Sequence, residues 1–358
     1  MPWHFCMNKP QHPAIVISCL LVILAAGALA HVQLWNRDTK GEDVYYSWVE
    51  GSRLLNSEDP YARILAGNMR ENDKYATYFP GFYGLSALTQ AAGLRDYEAW
   101  IAFWRVIFLG FDLAIAAALY LLIYPRGRLL AAGFAAAFWL FSRWTLHVTE
   151  IAHLDFIPIF LMIASLGLFR KHRWSALLLF SLSLGVKQIA IFLVPLYLIW
   201  TWQSAREDKL KQTAFAGLVI ASVPILTSLP FLVWHAEGFV RSLAFSATRN
   251  PVDHFSVTSF DGQMGWVGLP ARLPMLIMLL AVYALAWRRK VGMYVASLFA
   301  MSTFVDFNAV LFRQYFAWIV PLIPLVMLDL WEGADPSTDP QTPSPGQSPS
   351  QSGSPTKS

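Results

Sequence analysis

Long apolar runs alternate with short polar turns along most of this chain. A helix needs about 20 consecutive apolar residues to cross a bilayer. Runs that approach or exceed this length lie at 14–35, 80–94, 98–124, 129–146, 152–169, 174–203, 213–235, 270–287, 291–305 and 314–330. The run at 174–203 is long enough for two short helices broken near Gly185-Val186-Lys187. The pattern therefore predicts ten or eleven transmembrane helices.

Composition agrees with this interpretation. Hydrophobic residues make up 56% of the 358 positions and charged residues 14%, with a mean hydropathy of +0.44. These values exclude an ordinary soluble globule and predict an all-α polytopic membrane protein. The formal net charge of +4 is too small to indicate a nucleic-acid partner. Two cysteines, Cys6 in the N-terminal tail and Cys19 in the first apolar run, cannot form a disulfide framework.

Basic residues concentrate in the turns between apolar runs, where they favour the cytoplasmic side of a membrane. The clusters are Arg126 with Arg128, Arg170 to Arg173, Arg206 to Lys211, and Arg288 to Lys290. This pattern predicts a multi-pass protein of the inner membrane, with 14–35 retained as a helix and not cleaved as a signal peptide. If both 80–94 and 98–124 crossed fully, Arg126 and Arg128 would lie outside. The segment 80–94 is therefore either a span or a re-entrant segment.

The polar stretches divide the chain into a membrane domain and a tail. Residues 1–330 form the predicted transmembrane domain, and its two sizeable polar loops, 36–79 and 236–269, fall on the outer face by alternation. Residues 331–358 are rich in Pro, Ser, Gln, Asp and Thr, which predicts a disordered cytoplasmic tail. No internal repeat of fixed period is visible.

Several common functional motifs are missing from the sequence. It has no G-x-G-x-x-G after a strand, no G-x-x-x-x-G-K-[ST], no H-E-x-x-H and no paired C-x-x-C. Neither outer loop is long enough for a nucleotide-binding domain. If the protein transfers a group, a donor that arrives through the bilayer fits better than a soluble nucleotide sugar. We predict no cofactor and no metal site.

The loop 36–79 carries the densest candidate chemistry. Val44, Tyr45, Trp48 and Leu55 share one side at helical spacing, with Glu50 and Arg53 on the other, which predicts an amphipathic helix along the membrane interface. Asp43 just precedes this helix, where partial desolvation favours a general base. Two alternatives stay open: that Asp43 only caps the helix, and that Glu42 takes either role.

The order of motifs in this loop resembles a known family. Asp43 is followed by Tyr45-Tyr46, then Asp59-Pro60-Tyr61, then Tyr78-Phe79-Pro80-Gly81. This order resembles the first outer loop of the GT-C superfamily of glycosyltransferases, especially the bacterial polyprenyl-phosphate-mannose-dependent mannosyltransferases. Tyr-Phe-Pro-Gly stands where that family has Tyr-Pro-Pro. In the superfamily an acidic residue just after the first transmembrane helix is the catalytic base, which implies this role for Asp43.

Two later motifs extend the resemblance. Gly185-Val186-Lys187-Gln188, followed by Pro195, resembles the superfamily's G-x-K-x(5-8)-P helix. Burying a lysine costs roughly 2.5 to 3.5 kcal/mol on insertion scales, so Lys187 should line a cavity, meet an anion or reach an interface. Near the end, Arg313-Gln314-Tyr315-Phe316-Ala317-Trp318 with Pro321 is similar to the family's Q-Y-x-x-W-x-x-P signature. The resemblance implies that Lys187, Arg313, Gln314 and Tyr315 bind substrate; membrane anchoring is the alternative for Arg313.

Other polar residues are weaker candidates. Asp155 lies with Glu150 and His153 at the next outer turn. An acidic residue near the start of this helix is common across the superfamily, which implies that Asp155 is a second carboxylate that binds substrate; the alternative is that these residues are only solvated at the interface. Arg105 and Asp112 lie seven residues apart, hence on one helix face, where structural contacts between helices are at least as plausible as substrate contacts. His254 in the second outer loop is a candidate for substrate binding and for acid or base help, with a solvated loop as the alternative.

Together these observations predict transfer of a hexose, mannose by resemblance, from polyprenyl phosphate to an acceptor hydroxyl with inversion on the outer face. Asp43 would take the hydroxyl proton, and Lys187 or Arg313 would stabilise the leaving phosphate. The acceptor is left open as a glycolipid, a polysaccharide precursor or a protein. A transporter or flippase is the alternative, although such proteins usually show repeated halves. An inactive homologue that acts in assembly is a third possibility.

Overall fold

The computed structural model describes residues 12–67, 74–126, 128–248 and 259–333, and every regular element within these ranges is helical. The α-helices are α1 (Pro13–Val32), α2 (Asp43–Leu55), α3 (Gly81–Ala91), α4 (Tyr97–Ile123), α5 (Leu129–Phe141), α6 (Arg143–Glu150), α7 (Phe156–Leu168), α8 (Arg173–Val186), α9 (Val194–Ser204), α10 (Lys209–Thr248), α11 (Phe260–Met264), α12 (Leu273–Trp287), α13 (Met293–Asp306) and α14 (Leu322–Gly333). Short 3-10 helices include Ala62–Leu65, Gln188–Leu193 and Arg313–Trp318. The all-α prediction is confirmed.

Several of these helices are suited to a membrane. In the described residues, five stretches are long and apolar enough to cross it, and α5 with α6, bent by 43°, would make a sixth. The five are Pro13–Val32, Tyr97–Ile123, Lys209–Phe245, Pro270–Trp287 and Arg313–Glu332. Shorter apolar helices occupy the predicted runs 152–169, 174–203 and 291–305. A polytopic membrane protein is thus confirmed, while the count of ten or eleven crossings stays a prediction.

Helix α3 is short and lies against α2. The Gln90 side-chain amide donates to the Trp48 carbonyl at 2.8 Å, and Ser52 Oγ donates to Gln90 Oε1 at 2.7 Å. Gly51 permits this approach, because a Cβ there would lie 2.4 Å from Ser86 Oγ. At 11 residues α3 is shorter than a crossing requires. A non-crossing α3 places Arg126 and Arg128 on the same side as the other basic turns.

The faces of α2 differ from the prediction at two positions. Val44 is buried as expected, but Glu50 is also buried at 1% exposure, and Leu55 is 40% exposed. Glu50 lies between Arg53 and Arg63, each 3.4 Å away, with Arg63 supplied by the following 3-10 helix. The predicted polar side is covered because the rest of the outer loop folds back over it.

A buried polar cluster joins the first helices. Asp112 on α4 lies 2.9 Å from His31 Nδ1 at the end of α1 and accepts a 2.7 Å hydrogen bond from Trp139 Nε1 on α5. Arg105 instead donates to the Arg37 carbonyl at 2.8 Å. Arg105 and Asp112 therefore make separate contacts, and both favour the structural alternative over substrate binding.

The turns between helices gather at two opposite ends of the helical bundle. The turn 169–172 and the segments 203–204 and 286–292 meet at one end of the bundle, where Arg170 also pairs with Glu332. The segments 76–81, 150–156 and 313–318 meet at the other end. Basic turns and candidate site thus lie at opposite ends, as a membrane orientation requires.

The second predicted outer loop begins as helix. Helix α10 continues to Thr248 after a kink at His235, where φ is −152° and ψ is 78°. Gly238 lies against Tyr61, since a Cβ there would be 2.9 Å from the Tyr61 carbonyl oxygen. The part after the kink therefore covers the first outer loop. At the other terminus, the predicted tail starts late, because α14 runs to Gly333; residues 334–358 lie outside the described residues.

A charged candidate active site at one end of the bundle

Asp43 is the first residue of α2, and its carboxylate has three partners. Lys74 Nζ lies 2.9 Å from Oδ1, Tyr78 OH donates to Oδ2 at 2.9 Å, and His153 Nε2 is 3.1 Å from Oδ2. The Asp43 side chain is 23% exposed, and that of Lys74 is 43% exposed. The carboxylate is thus held from one side and open to a substrate from the other.

His153 connects Asp43 to a second carboxylate. His153 Nδ1 lies 3.1 Å from Asp155 Oδ1, an ion-pair distance without hydrogen-bond alignment. Asp155 Oδ1 also pairs with Lys187 Nζ at 2.6 Å, and Asp155 Oδ2 accepts from Trp318 Nε1 at 2.6 Å. The predicted residues Asp43, Asp155 and Lys187 therefore lie in one continuous charged network.

Local backbone breaks place these side chains. His153 and Asp155 lie in the turn between α6 and α7, where Ala152 adopts a left-handed φ of 49°. Lys187 ends α8 in an extended conformation, with φ −160° and ψ 130°. Its ammonium lies 4.5 Å from the ring centroid of Tyr78 and 5.4 Å from that of Trp318. Lys187 is 3% exposed, so aromatic faces and Asp155 replace the water it loses.

Gln188, the residue after Lys187, holds the loop before α3 in place. Its amide nitrogen donates to the Thr77 carbonyl at 2.7 Å, and its Oε1 accepts from the Phe79 amide at 3.3 Å. Gly81 lies so close to the end of α8 that a Cβ there would be 2.3 Å from the Gly185 carbonyl oxygen. These contacts fix Tyr78 beside both Asp43 and Lys187.

We expect Gly81→Ala to push the start of α3 away from the end of α8 and to lower the stability of the protein. The added methyl group meets backbone, which cannot rotate away, and overpacking of this kind costs about 1 to 3 kcal/mol. The measurement is the thermal unfolding midpoint of the purified protein in detergent, with Gly84→Ala as the control because a Cβ at Gly84 has no neighbour within 4 Å. Equal midpoints for the two variants would contradict the close packing at Gly81.

The Asp59-Pro60-Tyr61 motif has a positioning role. Asp59 Oδ1 accepts from the Tyr61 amide at 2.9 Å, which closes a local turn. Tyr61 OH then donates to the Tyr78 carbonyl at 2.7 Å, and its ring packs against Phe231 and Phe239 of α10. The motif thus supports the backbone that carries Tyr78.

The network sets the charge states of its members. Burial alone would raise the pKa of Asp43, but Lys74 and then His153 reverse this and hold that pKa well below its usual range. Burial would likewise raise the pKa of Asp155, but His153 and Lys187 hold it far below. Burial opposes the imidazolium of His153, yet the adjacent carboxylates raise its pKa. Both carboxylates are therefore ionised at neutral pH, and protonation of His153 is favoured.

Glu42 is separate from this network. Its carboxylate is 33% exposed and lies 3.2 Å from Arg37, and it makes no side-chain hydrogen bond that caps α2. Arg37 also pairs with Glu150 at 2.9 Å. Of these two adjacent acidic residues, the geometry thus places Asp43, and not Glu42, in the charged network.

Within the late motif at 313–318, Trp318 is the residue that contacts the charged network, through its hydrogen bond to Asp155. Gln314 is 8% exposed, and Tyr315 stacks on Trp318 with centroids 4.2 Å apart. Arg313 is close enough to His147 of α6 to act on it electrostatically. His254, the remaining predicted site residue, lies outside the described residues. The substrate-binding roles of Arg313, Gln314, Tyr315 and His254 stay predictions.

Four partners in the network were not predicted as site residues. Trp318 and Tyr78 belong to motifs that the resemblance singles out, so the sequence carried a signal for both residues. His153 shares a turn with Asp155 and is only two residues away. Lys74 has no sequence signal, since it is one of several charged residues in a polar loop.

Glu50 gives this region a pH dependence of its own. Burial raises the pKa of Glu50 from 4.5 to about 7, although Arg53 and Arg63 oppose the shift. Between these two pH values Glu50 keeps its proton in the folded state but has lost it in the unfolded state. The free energy of unfolding therefore falls as pH rises, by roughly 3 kcal/mol in all, and it levels off above pH 7.

Glu50→Gln is therefore expected to remove this slope, measured as the urea unfolding midpoint between pH 5 and pH 8. Glu58→Gln, which removes an exposed carboxylate just beyond α2, should keep it. A slope that survives in Glu50→Gln would assign the proton to another group.

The network combines two carboxylates, a histidine and two lysines, a set suited to proton transfer and to anion binding. In the part of the chain that the structure describes, no group of three or more His, Cys, Asp or Glu side chains is arranged to hold a metal ion. Fold and site together define an integral membrane protein with a partly buried charged site at one end of its helical bundle.

Comparison with known proteins narrows this class. Residues 255–331, about a fifth of the chain, match the family model described as mannosyltransferase (PIG-M). The matched stretch contains Trp318, which donates to Asp155 in the network. No solved structure matches the chain. The match supports a membrane mannosyltransferase and so the glycosyltransferase interpretation; the polyprenyl-phosphate-mannose-dependent subtype stays a prediction.

Proposed function

We propose that this protein is an inverting mannosyltransferase that takes its sugar from a polyprenyl-phosphate donor on the outer face of the inner membrane. The observation that carries the proposal is the partly open Asp43 carboxylate, held by Lys74, Tyr78 and His153 beside the membrane. A lipid-linked donor suits a site at the end of a helical bundle. The partial match to a mannosyltransferase family supports mannose as the sugar.

In the proposed reaction Asp43 is the general base. The acceptor hydroxyl oxygen forms a bond to the anomeric carbon while Asp43 takes its proton, and the bond from that carbon to the phosphate oxygen breaks. The phosphate leaves with the electron pair. The acceptor oxygen attacks the anomeric carbon from the side opposite the leaving phosphate, which gives inversion.

The resting network makes Asp43 a weak base, because its cationic neighbours hold its pKa low. Lys74 is the neighbour best able to change this, since its side chain is 43% exposed and flexible. We propose that the donor phosphate competes for Lys74. As Lys74 turns to the phosphate, Asp43 loses its strongest opposite charge and becomes more basic, so donor binding prepares the base.

Lys187 has a different role from Lys74 in the proposed reaction. Its ammonium is already paired with Asp155 and covered by Tyr78 and Trp318. It therefore supplies a fixed positive charge near the leaving phosphate, without the freedom of Lys74. Fixed charges of this kind stabilise developing negative charge without reorganisation during the reaction.

The test is transfer of labelled mannose to endogenous lipid acceptor in membranes that contain the protein. Polyprenyl-phosphate-mannose should support transfer, and a nucleotide-linked mannose in the same membranes, with synthesis of the lipid donor blocked, should not. If no polyprenyl-phosphate sugar supports transfer and the protein instead moves such a lipid across vesicle membranes, the flippase interpretation holds and the enzyme interpretation is wrong.

A further inference from the structure

A basic cavity lies at the end of the bundle opposite Asp43. It has a volume of about 620 Å³, within the range of ligand pockets, and occupies the turn between α7 and α8. Its lining includes Arg170, Lys171, His172, Arg173, Trp174 and Ser204. A neighbouring cavity of about 390 Å³ shares Arg170 and Ser204 and adds Arg289. Because the two cavities share lining residues, they are here together called the basic cavity.

Negative charge is scarce around the basic cavity. No acidic side chain is among the described residues that line it, and the sequence has none between Asp155 and Glu207. Two carboxylates of α14 lie nearby: Glu332 pairs with Arg170, and Asp329 lies against Gly292 and acts electrostatically on Arg170. The cavity therefore concentrates positive charge beyond what its own surroundings neutralise.

The cations of the basic cavity differ in their contacts. Arg173 is held in place, because its terminal nitrogens donate to Ser204 Oγ at 2.9 Å and to Gln212 Oε1 at 2.6 Å. Lys171 and His172 are exposed and have no side-chain partner among the described residues. A fixed guanidinium beside two unpaired cationic or hydrogen-bonding groups is an arrangement that suits a phosphate.

An exposed apolar stripe begins at the same place. Trp174, Leu178 and Leu182 follow each other at four-residue spacing on α8 and are 39%, 48% and 38% exposed. Trp174 contacts Phe215 of α10, with centroids 5.0 Å apart, and Phe215 is itself 54% exposed. The stripe runs from the basic cavity towards the middle of the membrane, along the path that an acyl chain would take.

We propose that the basic cavity binds the head group of an anionic phospholipid, with the acyl chains along the Trp174–Leu178–Leu182 stripe. Charge complementarity supplies the head-group site, and the continuous apolar face distinguishes a lipid from free phosphate. The site is separate from the proposed donor site, which lies at the other end of the bundle. Lipid binding in the basic cavity can therefore be tested independently of the transfer reaction.

The experiment measures lipid binding to the purified full-length protein in a neutral detergent by native mass spectrometry. Phosphatidylglycerol should bind more tightly than phosphatidylcholine. Lys171→Gln/His172→Gln should weaken phosphatidylglycerol binding by roughly five-fold or more, since each basic group near a membrane surface contributes about 1 kcal/mol. Lys209→Gln/Lys211→Gln is the matched control, because it removes two exposed lysines at the same end but outside the lining.

Three results would overturn the proposal. Equal loss of binding in the control would reduce the effect to general surface charge. Equal affinity for phosphatidylcholine would remove the role of the head-group charge. Displacement of phosphatidylglycerol by millimolar inorganic phosphate would make free phosphate the ligand and remove the role of the apolar stripe. Correct folding of both double variants is checked by their unfolding midpoints.

Discussion

Asp43→Asn is expected to lower mannose transfer by roughly 10²- to 10⁴-fold, the usual contribution of a general base. Asparagine keeps the shape of the side chain and can still accept from Tyr78 OH, so the loop should hold its place. It cannot take the hydroxyl proton. The measurement is the initial rate of labelled mannose transfer, normalised to the amount of folded protein in the membranes.

The control for this prediction is Glu42→Gln, one residue earlier in the chain. Glu42 forms a half-exposed pair with Arg37, and exposed pairs of this kind contribute only about 0 to 1 kcal/mol. We therefore expect this variant to transfer mannose within about two-fold of the wild type. An Asp43→Asn enzyme that retained more than a tenth of the wild-type rate would remove the base assignment, and so would an equal loss in Glu42→Gln.

Asp155→Ala is expected to reduce stability by roughly 3 to 5 kcal/mol, the cost of leaving a buried charge without its partner. Lys187 Nζ would lose the carboxylate 2.6 Å away, and Trp318 Nε1 would lose its acceptor. Both side chains are buried, so water cannot readily replace Asp155. The measurement is the urea unfolding curve of the purified protein in detergent.

A second substitution separates stability from function at this position. In Asp155→Ala/Lys187→Met no unpaired ammonium remains, so much of the lost stability should return. Transfer activity should stay low, because the fixed positive charge proposed for the leaving phosphate is then missing. A single Asp155→Ala variant as stable as the wild type would show that the pair is dispensable for the fold. Recovery of activity in the double variant would remove Lys187 from the proposed mechanism.

The two lysines of the charged network differ in their exposure. Each of the two carboxylates in the charged network, Asp43 and Asp155, is paired with a lysine, and the pair with Lys74 keeps Asp43 weakly basic. Only the lysine beside Asp43 is substantially exposed. In the proposed mechanism, a donor phosphate therefore redirects only Lys74 and leaves the Asp155–Lys187 pair in place.

Local sequence determined the membrane architecture and part of the site. Apolar runs must be helical in a bilayer, because each backbone amide needs a partner there, so 14–35 and 98–124 predicted helices correctly. The break near Gly185 was also visible, since Lys187 interrupts an apolar run. Asp43 could be singled out by its position directly after the first span.

Tertiary structure decided which charges meet. Asp43 contacts His153, which is 110 residues away, and Asp155 contacts Trp318 across 163 residues. Periodicity reports only which face of a helix is apolar, so it carries no information on such pairings. It also misplaced Glu50, because burial there comes from the loop that folds over α2 and not from the helix itself. The sequence by itself thus determined where the apolar helices lie and that acidic residues follow the first of them. Packing alone determined the charged network, since its contacts join segments that no local pattern relates.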